Sequence, residues 1–447
     1  MKKTLFVTLL LALSVSLGAQ DIVRLLAECP DRATCNMHSY EFDPIFDSPV
    51  PDGFQPFYIT HYGRHGSRYE QNSTFARNCE GAFAVLDSLR LLTDEGKALR
   101  DDVEAIVAAH KGMEGSLSPR GAREQRTLAA RMAERYPTVF TDPARQEVDC
   151  FSSTSFRVIM SMTNFTYSLK EKFPGQQFTF TSAEKFMAYI NPSLSVRKPG
   201  EPVPPRPSFP AGGMRPAAPA PFGPAPGVPG YDFTRFLKPL FTDMDKALRI
   251  IGNPEPFVRA IFTTAGLCQL VDFLGIDIYH HFTPEELAYL WEHGNNNIYR
   301  MWGGGLETGD ANRYAIRPLL QDFIDKADAA LQPGSHRAAD LRFGHDTSIL
   351  PLFALLDIDD LQHRHFSFND AAKNNWYAFF QVPMACNIQM IFYRNAKDEV
   401  LAKILYNEKE VLLSGIEPVS GPYYRWPELR AHFVALIDKA TRTWEDQ

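Results

Sequence analysis

The sequence predicts an α/β fold with a second, mainly α-helical domain inserted into the chain. Three passages point to it, beginning at Phe57, Val148 and Leu341, because each has a short β-favouring run that leads into a loop. Each run is followed by apolar residues at helical spacing. Such units usually form a sheet whose site lies at the carboxyl ends of the strands. We therefore expect the functional residues at that edge.

The first two passages give clear element boundaries. A strand over 57–62 ends in a loop at Gly63, and the next helix is expected over 118–136. That helix begins with serine and proline, which suit an N-cap and a first turn, and it ends before a proline. The second strand is expected over 148–152, with helical spacing that continues to Leu169.

The third passage and the segment after it complete the predicted sheet. A strand over 341–344 precedes an apolar helix over 349–356, and Pro351 is expected in its first turn, where amides lack internal acceptors. Two further strands over 388–393 and 400–406 are separated by a turn-rich segment. These two strands are expected to form one edge of the sheet.

The chain length of 447 residues favours two lobes over one compact core. We predict a discontinuous α/β domain over 21–169 and 338–447, with the mainly helical domain over 170–337 inserted between them. A proline-rich tract over 199–230 lies in that insertion. Because proline fits neither a helix interior nor an inner strand, we interpret the tract as an extended surface excursion.

The first 20 residues have the order of a secretory signal. Two lysines precede an apolar run over 5–17, and small residues follow at 18 and 19. The run is short for a transmembrane span, and a buried N-terminal helix is the alternative interpretation. We expect an exported protein, periplasmic or secreted, without stable membrane insertion. Six cysteines suit an oxidising compartment but fix no disulfide pairing, and the oligomeric state stays open.

The charge balance argues against a nucleic-acid partner. The chain has 46 basic and 53 acidic residues, a formal charge of −7, and no long basic run. An anionic ligand would need a local cluster of arginines to attract it.

Such a cluster occurs in the sequence Arg64-His65-Gly66-Ser67-Arg68, directly after the first predicted strand. Glycine lets the backbone approach a ligand, and guanidinium groups make paired hydrogen bonds to phosphate oxygens. The spacing therefore suits an anion held against a nucleophilic imidazole nitrogen. By itself, a short basic loop is more often a solvated surface.

Four segments in this order resemble the histidine acid phosphatases, the branch of the histidine phosphatase superfamily (branch 2) that contains phytases and multiple inositol polyphosphate phosphatases. They are RHGSR at 64–68, GSLSPRG at 115–121, SSTSFR at 152–157 and GHDTSILPL at 344–352. The resemblance implies a sandwich-type, phosphoglycerate-mutase-like core sheet. It also implies hydrolysis of a small anionic phosphate ester without a metal or another cofactor.

The resemblance assigns roles only to matching residues. His65 would accept the phosphoryl group, and Asp346 would give a proton to the leaving oxygen. The phosphoryl oxygens would be held by Arg64, Arg68, Arg157 and His345. Without the resemblance, Arg157 could simply pair with a carboxylate, and His345-Asp346 could be a turn with a helix-capping Asp.

The substrate is less defined than the reaction. Tyr69-Glu70 stands near a position where the family often has proline, and the inositol polyphosphate branch often has His-Ala-Glu where this chain has His345-Asp346-Thr347. Yet the segment MACNIQ at 384–389 resembles inositol polyphosphate phosphatase-like proteins of gut-type bacteria. Inositol polyphosphates are the favoured substrates. The alternatives are a broad-specificity acid phosphatase or sugar-phosphate phosphatase, and a non-catalytic anion-binding protein.

Other chemistries have weak support in the sequence. The motifs of a P-loop, a zincin and a serine hydrolase elbow are missing. His363 and His365 could bind a metal, but two histidines without further spaced ligands are usually surface or core residues.

Overall fold

The computed structural model describes residues 22–71, 74–192, 230–306, 309–358 and 366–445. Three sequence predictions lie outside these residues: the signal segment over 1–20, the proline-rich tract up to residue 229, and the pair His363 and His365.

One mixed sheet organises the described part of the chain. Its strands are β1 Gln55–Arg64, β2 Glu147–Ser152, β3 Gln177–Ser182, β4 Arg337–Gly344, β5 Asn387–Arg394, β6 Val400–Tyr406, β7 Lys409–Glu410 and β8 Tyr423–Arg425. Their order is β3-β2-β4-β1-β5-β6-β7, and β8 also pairs with β6. Strands β1 to β4 are mutually parallel, whereas β5 to β8 pair antiparallel. The carboxyl ends of four strands therefore share one edge.

Helices and 3-10 turns surround this sheet. The α-helices are α1 Ile22–Glu28, α2 Thr74–Ser88, α3 Asp94–His110, α4 Pro119–Arg135, α5 Pro137–Thr141, α6 Phe156–Lys172, α7 Met187–Ile190, α8 Thr234–Leu237, α9 Met244–Ile251, α10 Pro254–Leu267, α11 Pro284–Trp302, α12 Gly309–Leu331, α13 Asp346–Leu356, α14 Ala378–Gln381 and α15 Trp426–Glu445. The 3-10 helices are Pro30–Met37, Glu184–Phe186, Lys238–Leu240, Cys268–Leu274, Tyr279–His281, Phe368–Asp370 and Ala372–Asn374.

The register of the central strands sets the position of the site. Arg64 at the end of β1 lies opposite Gly344 at the end of β4, and Ser152 at the end of β2 lies opposite Phe343. The three strands therefore end at nearly the same level. The chain that follows each of them, starting with His65, Ser153 and His345, emerges side by side.

Alternate residues of β1 face opposite hydrophobic cores, as the two-residue period of a strand requires. Tyr58 and Tyr62 join the core that contains α13, α10 and α12, whereas Ile59 joins the core formed with α4 and α6. The segment Pro254–Leu274 is apolar and long enough to cross a membrane by composition, but 78% of its apolar window is buried. A helix that is buried in a large hydrophobic core has the same length and apolar composition.

The predicted α/β fold is confirmed, and most predicted elements match. Helix α4 has the predicted N-cap, since the Ser118 hydroxyl accepts the Gly121 N–H at 3.3 Å. One detail was wrong: α13 begins at Asp346, so Pro351 is in its second turn. Proline leaves the carbonyl four residues earlier without a helical donor. Residues 348–356 are all buried, and their apolar burial outweighs that loss.

The predicted domain boundaries stay a prediction. In two places the contacts between elements cross them. Strand β3 lies in the range assigned to the insertion but pairs with β2. Conversely, α2 and α3 lie in the range assigned to the α/β domain but contact α10 of the predicted insertion. The strand was missed because it lies at the sheet edge, where most of its residues are exposed, so it has no continuous apolar run.

No disulfide joins any of the six cysteines, all of which lie in the described residues. Five of them are buried, and Cys29 is half-buried. They behave as small apolar side chains inside the fold.

Candidate active site

The parallel strand ends bring the six predicted site residues together. The rings of His65 and His345 are 5.6 Å apart between centroids. A guanidinium N–H of Arg157 reaches Nδ1 of His345 at 3.4 Å. Arg64 and Asp346 form an ion pair at 2.8 Å. The remaining predicted residue, Arg68, lies in the electrostatic range of these groups.

His65 is held as a neutral imidazole with one defined nitrogen free to react. The residue is 2% exposed, and its backbone N–H donates to the Gly344 carbonyl at 3.0 Å. Its Nδ1–H donates to the Gly66 carbonyl at 2.9 Å, which leaves the lone pair on Nε2. Burial, followed by the positive charges of Arg64 and Arg157, holds the pKa of His65 well below its usual range. A neutral imidazole is the nucleophilic form.

The loop that carries His65 fits against the start of α4 through two glycines. A Cβ on Gly66 would lie 2.4 Å from the Gly121 carbonyl oxygen, and a Cβ on Gly121 would lie 2.0 Å from the Ser67 carbonyl oxygen. Either side chain would force the two segments apart. Glu124 of α4 also accepts both the N–H and the O–H of Ser67 at 2.7 Å. These contacts explain why RHGSR and GSLSPRG occur together.

Each of the three site arginines has a guanidinium Nε–H that makes no hydrogen bond in the described part of the chain. One terminal nitrogen of Arg64 donates to the carbonyls of Asn36 and Val382, and the other pairs with Asp346. Within the described residues, the buried Nε groups of Arg64, Arg68 and Arg157 have no hydrogen-bond acceptor. Burial, with the charges of Arg157 and Arg64, lowers the pKa of Arg68 to about 9. An anion placed here would satisfy these donors.

His345 is oriented by three groups from different parts of the chain. Its Nε2–H donates to the Ser153 hydroxyl at 2.9 Å, and its Nδ1 accepts from Arg157. Its backbone N–H donates to the Tyr62 hydroxyl at 3.1 Å. Burial and the charge of Arg157 lower its pKa to about 4. A bound phosphate would reverse this effect, because its negative charge favours the protonated imidazole, which donates from both nitrogens.

Asp346 receives donors from three directions. Its Oδ2 accepts from Arg64 at 2.8 Å and from the Asn36 amide at 2.7 Å, and its Oδ1 accepts the Thr347 N–H at 3.0 Å. Burial alone would raise its pKa, but the positive charge of Arg64 and the other donors outweigh burial and lower it. The carboxyl group is therefore ionised in the unliganded protein.

Several site residues were missed from the sequence. Ser153 stood inside the SSTSFR segment and could have been found there, because a serine at a strand end often contacts the next site residue. Glu124 and Tyr62 belong to predicted elements but carried no separate signal. Asn36 lies 28 positions before Arg64, in a segment for which no element was predicted.

A cavity of about 280 Å³ opens beside the arginine cluster. Asn36 and Arg68 line it together with an apolar wall. That wall includes Met37, Phe262, Leu290 and Trp291. A molecule bound through its phosphoryl group at Arg68 could extend into this space.

Three side chains of types that can bind a metal ion lie close together in the described part of the chain. Ligand atoms of Cys29, His38 and Glu41 are within 4.8 Å of one another. Arg32 donates to both oxygens of Glu41, at 2.8 and 2.9 Å. A guanidinium that holds both carboxylate oxygens opposes a metal ion there, so we assign no metal role to this group.

Comparison with known proteins gives one family match. The sequence model of the histidine phosphatase superfamily (branch 2) matches residues 63–188, which include His65 and the arginines at 64, 68 and 157. No curated protein sequence matches the chain.

Solved structures share the fold. The Bifidobacterium longum multiple inositol polyphosphate phosphatase in complex with inositol hexasulfate has a TM-score of 0.68 at 16% identity, over 91% of this chain and 98% of that one. The same enzyme with phosphate has a TM-score of 0.67 at 16% identity, over 91% and 98%. The phytase from D. castellii has a TM-score of 0.59 at 15% identity, over 93% and 86%. The chain therefore shares the fold of these structures, and its residues 63–188 match the model of branch 2 of the histidine phosphatase superfamily.

Proposed function

We propose that the protein is a phosphomonoester hydrolase that acts through a phosphohistidine on His65, with inositol polyphosphates of the phytate type as substrates. The observation that supports this most strongly is the set of three buried guanidinium Nε donors around a neutral imidazole. Buried donors without acceptors are costly, so such a cluster is suited to a ligand rich in acceptor oxygens. A phosphoryl group supplies those oxygens and the charge.

The reaction follows from the free nitrogen of His65. Nε2 attacks phosphorus, a P–N bond forms, and the P–O bond to the leaving group breaks. The electron pair goes to the leaving oxygen, which takes a proton from Asp346. Water then attacks phosphorus, the P–N bond breaks, and its electron pair returns to Nε2 of His65. The ionised Asp346 takes a proton from that water, so that inorganic phosphate leaves and both residues are restored. Arg64, Arg68 and Arg157 offset charge on the phosphoryl oxygens throughout.

Asp346 must gain its proton with the substrate. In the unliganded protein, the arginine charges keep its pKa low. A bound phosphate monoester neutralises those charges, and its own negative charge raises the pKa of the neighbouring carboxyl group. Asp346 is therefore protonated only when a phosphate ester is bound.

A second substrate class is favoured by the cavity beside Arg68. Of the described residues that line this cavity, Arg68 is the one cation, and much of the wall is apolar. A highly phosphorylated inositol ring would need further cations around it. A broad-specificity acid phosphatase or a sugar-phosphate phosphatase is therefore the alternative.

Phosphate release from phytate, glucose 1-phosphate and an aryl phosphate separates these candidates. We expect a higher kcat/KM for phytate than for the other two esters, and activity that survives dialysis against a chelator. Comparable values for all three would favour the broad-specificity enzyme. Binding without release, and without an acid-labile phosphoenzyme after rapid quench, would favour an anion-binding protein.

We also propose export, on the basis of the charged, apolar and small-residue order of the first 20 residues. Expression of the full chain in a bacterium with a periplasm, followed by fractionation and N-terminal sequencing, tests it. A new N-terminus near residue 20 in the periplasmic fraction is the expected result. An uncleaved cytoplasmic product would contradict it.

A further inference from the structure

We propose that Asn36 is a positioning residue that holds Asp346 and fixes which of its two oxygens carries the transferred proton. The proposal rests on the proposed phosphatase function and adds to it a residue from outside the predicted motifs.

Asn36 contacts both members of the Arg64–Asp346 ion pair. Its side-chain amide donates to Oδ2 of Asp346 at 2.7 Å, and its backbone carbonyl accepts from Arg64. It lies near the end of the 3-10 helix Pro30–Met37, 310 positions before Asp346 in the chain. A single residue therefore contacts both the guanidinium and the carboxyl group and helps to hold them in place.

The oxygens of Asp346 are not equivalent. Oδ2 accepts from both Arg64 and Asn36, which uses its two lone pairs. Oδ1 accepts only the Thr347 N–H among the described hydrogen bonds, and it keeps one lone pair. A proton gained on substrate binding therefore goes to Oδ1. Without the Asn36 donor, Oδ2 would become a competing site and the carboxyl group could rotate.

Asp346 lies among three arginines, a histidine and buried neutral groups. Arg64 and Arg68 come from the end of β1 and its loop, Arg157 comes from α6, and His345 precedes α13. Two buried neutral groups, the Tyr62 hydroxyl and the Cys386 thiol, complete these surroundings. Asn36 donates to Asp346 through an uncharged side chain, so it orients the carboxyl group without adding charge. The lining of the cavity includes Asn36 and Arg68, which places this contact beside the space available to a leaving group.

The test compares two leaving groups in the full-length enzyme. An inositol alkoxide needs the proton of Asp346, whereas nitrophenolate, being much less basic, needs it far less. In Asn36→Leu, which keeps the branched shape of the side chain and removes the donor, we expect kcat/KM for an inositol phosphate to fall about tenfold or more. The value for nitrophenyl phosphate should fall less than about threefold. Asn36→Ala provides the same comparison if the leucine variant folds poorly.

The pH profile gives a second readout that a purely structural role would not move. Loss of a donor to the carboxylate raises the pKa of the acid, so the alkaline limb of kcat should shift upward by about half a pH unit or more. The matched control is Asn191→Leu. Its Oδ1 accepts from the hydroxyls of Thr347 and Ser348 in the same turn but does not touch the Asp346 carboxyl.

The outcomes separate this proposal from the function on which it rests. The role of Asn36 would be overturned if Asn36→Leu still forms phosphohistidine, loses kcat/KM equally on both substrates and keeps the alkaline limb of kcat in place. The same selective loss in Asn191→Leu would also overturn it. Failure of the proposed function would appear in the unaltered enzyme, as the lack of phosphohistidine with either substrate.

Discussion

Two arginines in neighbouring regions show how differently the molecule treats its charges. Arg32, in the segment before β1, donates to both oxygens of Glu41, and this hydrogen bonding raises its pKa. Arg68, in the loop after β1, is half-buried near Arg157 and Arg64, and its pKa falls to about 9. The first region is electrostatically satisfied, whereas the second holds positive charges close together.

The difference indicates which region is built for stability and which for a ligand. Like charges held together in a buried site destabilise the free protein, and an anionic ligand removes that penalty. The segment that contains Arg32 binds no ligand in this scheme, so its polar groups are paired with one another within the fold. Asn36 connects the two regions, because it lies four residues after Arg32 and contacts Arg64 and Asp346.

The largest expected effect is from the nucleophile at the strand end. His65→Ala should lower turnover by at least about 10⁴-fold and abolish the phosphoenzyme, because it removes the atom that attacks phosphorus. The matched control is His336→Ala. His336 is an exposed histidine immediately before β4, at the opposite end of that strand. Rapid-quench trapping and steady-state kinetics measure both variants, and near-normal turnover in His65→Ala would contradict the mechanism.

The next effect concerns the acid and depends on the leaving group. Asp346→Asn should slow inositol phosphate hydrolysis about 10²-fold but nitrophenyl phosphate hydrolysis less than about tenfold, because nitrophenolate leaves without a proton. Arg157→Ala removes a contact to the phosphoryl group common to both substrates, so its losses should be nearly equal. Values of kcat/KM for each pair provide the comparison. Equal losses in Asp346→Asn would mean that the proton comes from elsewhere.

The sequence predicts this site unevenly, and the two regions show why. The strand ends could be predicted because glycine, arginine and histidine follow β-favouring runs in one chain order, and parallel strands bring such ends together. Asn36 could not, because its role depends on a contact across 310 positions from a segment with no periodic pattern. Glu124 appears as an ordinary helix glutamate until the loop that it holds is seen against α4.

A smaller effect tests the contrast between the two arginines directly. Arg68→Met should leave the unliganded protein as stable or more stable by about 1 kcal/mol, since it removes a half-buried charge among like charges. Arg32→Met should destabilise by about 1–3 kcal/mol, because it leaves Glu41 without its guanidinium partner. Denaturant unfolding measures both variants. A marked destabilisation by Arg68→Met would show that the cluster supports the fold.

Inorganic phosphate extends the same experiment. At about 100 times its dissociation constant, a ligand stabilises a folded protein by about 2.7 kcal/mol. The unaltered enzyme and Arg32→Met should both gain stability from phosphate, whereas Arg68→Met should gain much less. Equal gains in all three proteins would place phosphate binding outside the cluster.

The smallest effect is a pH dependence of stability that originates at His345. Its pKa is about 4 in the folded protein, against about 6.5 for an unperturbed histidine. Between these values the unfolded chain binds a proton that the folded protein does not, so stability must fall as the pH falls from 6.5 toward 4. The titration of His345 alone would lower the unfolding free energy by about 2 kcal/mol between pH 6.5 and 4.5.

His345→Asn removes this titration and should therefore flatten the dependence of the unfolding free energy on pH over that window. His61 is also buried, and its pKa of about 3 gives the variant a remaining slope, which serves as an internal reference. Denaturant unfolding at half-unit pH steps, without phosphate, measures the difference between the two proteins. An unchanged slope would mean that His345 gains its proton as readily in the folded protein as in the unfolded chain. In that case Arg157 and burial would not hold the imidazole neutral, and the charge of a bound phosphate would no longer be needed to protonate it.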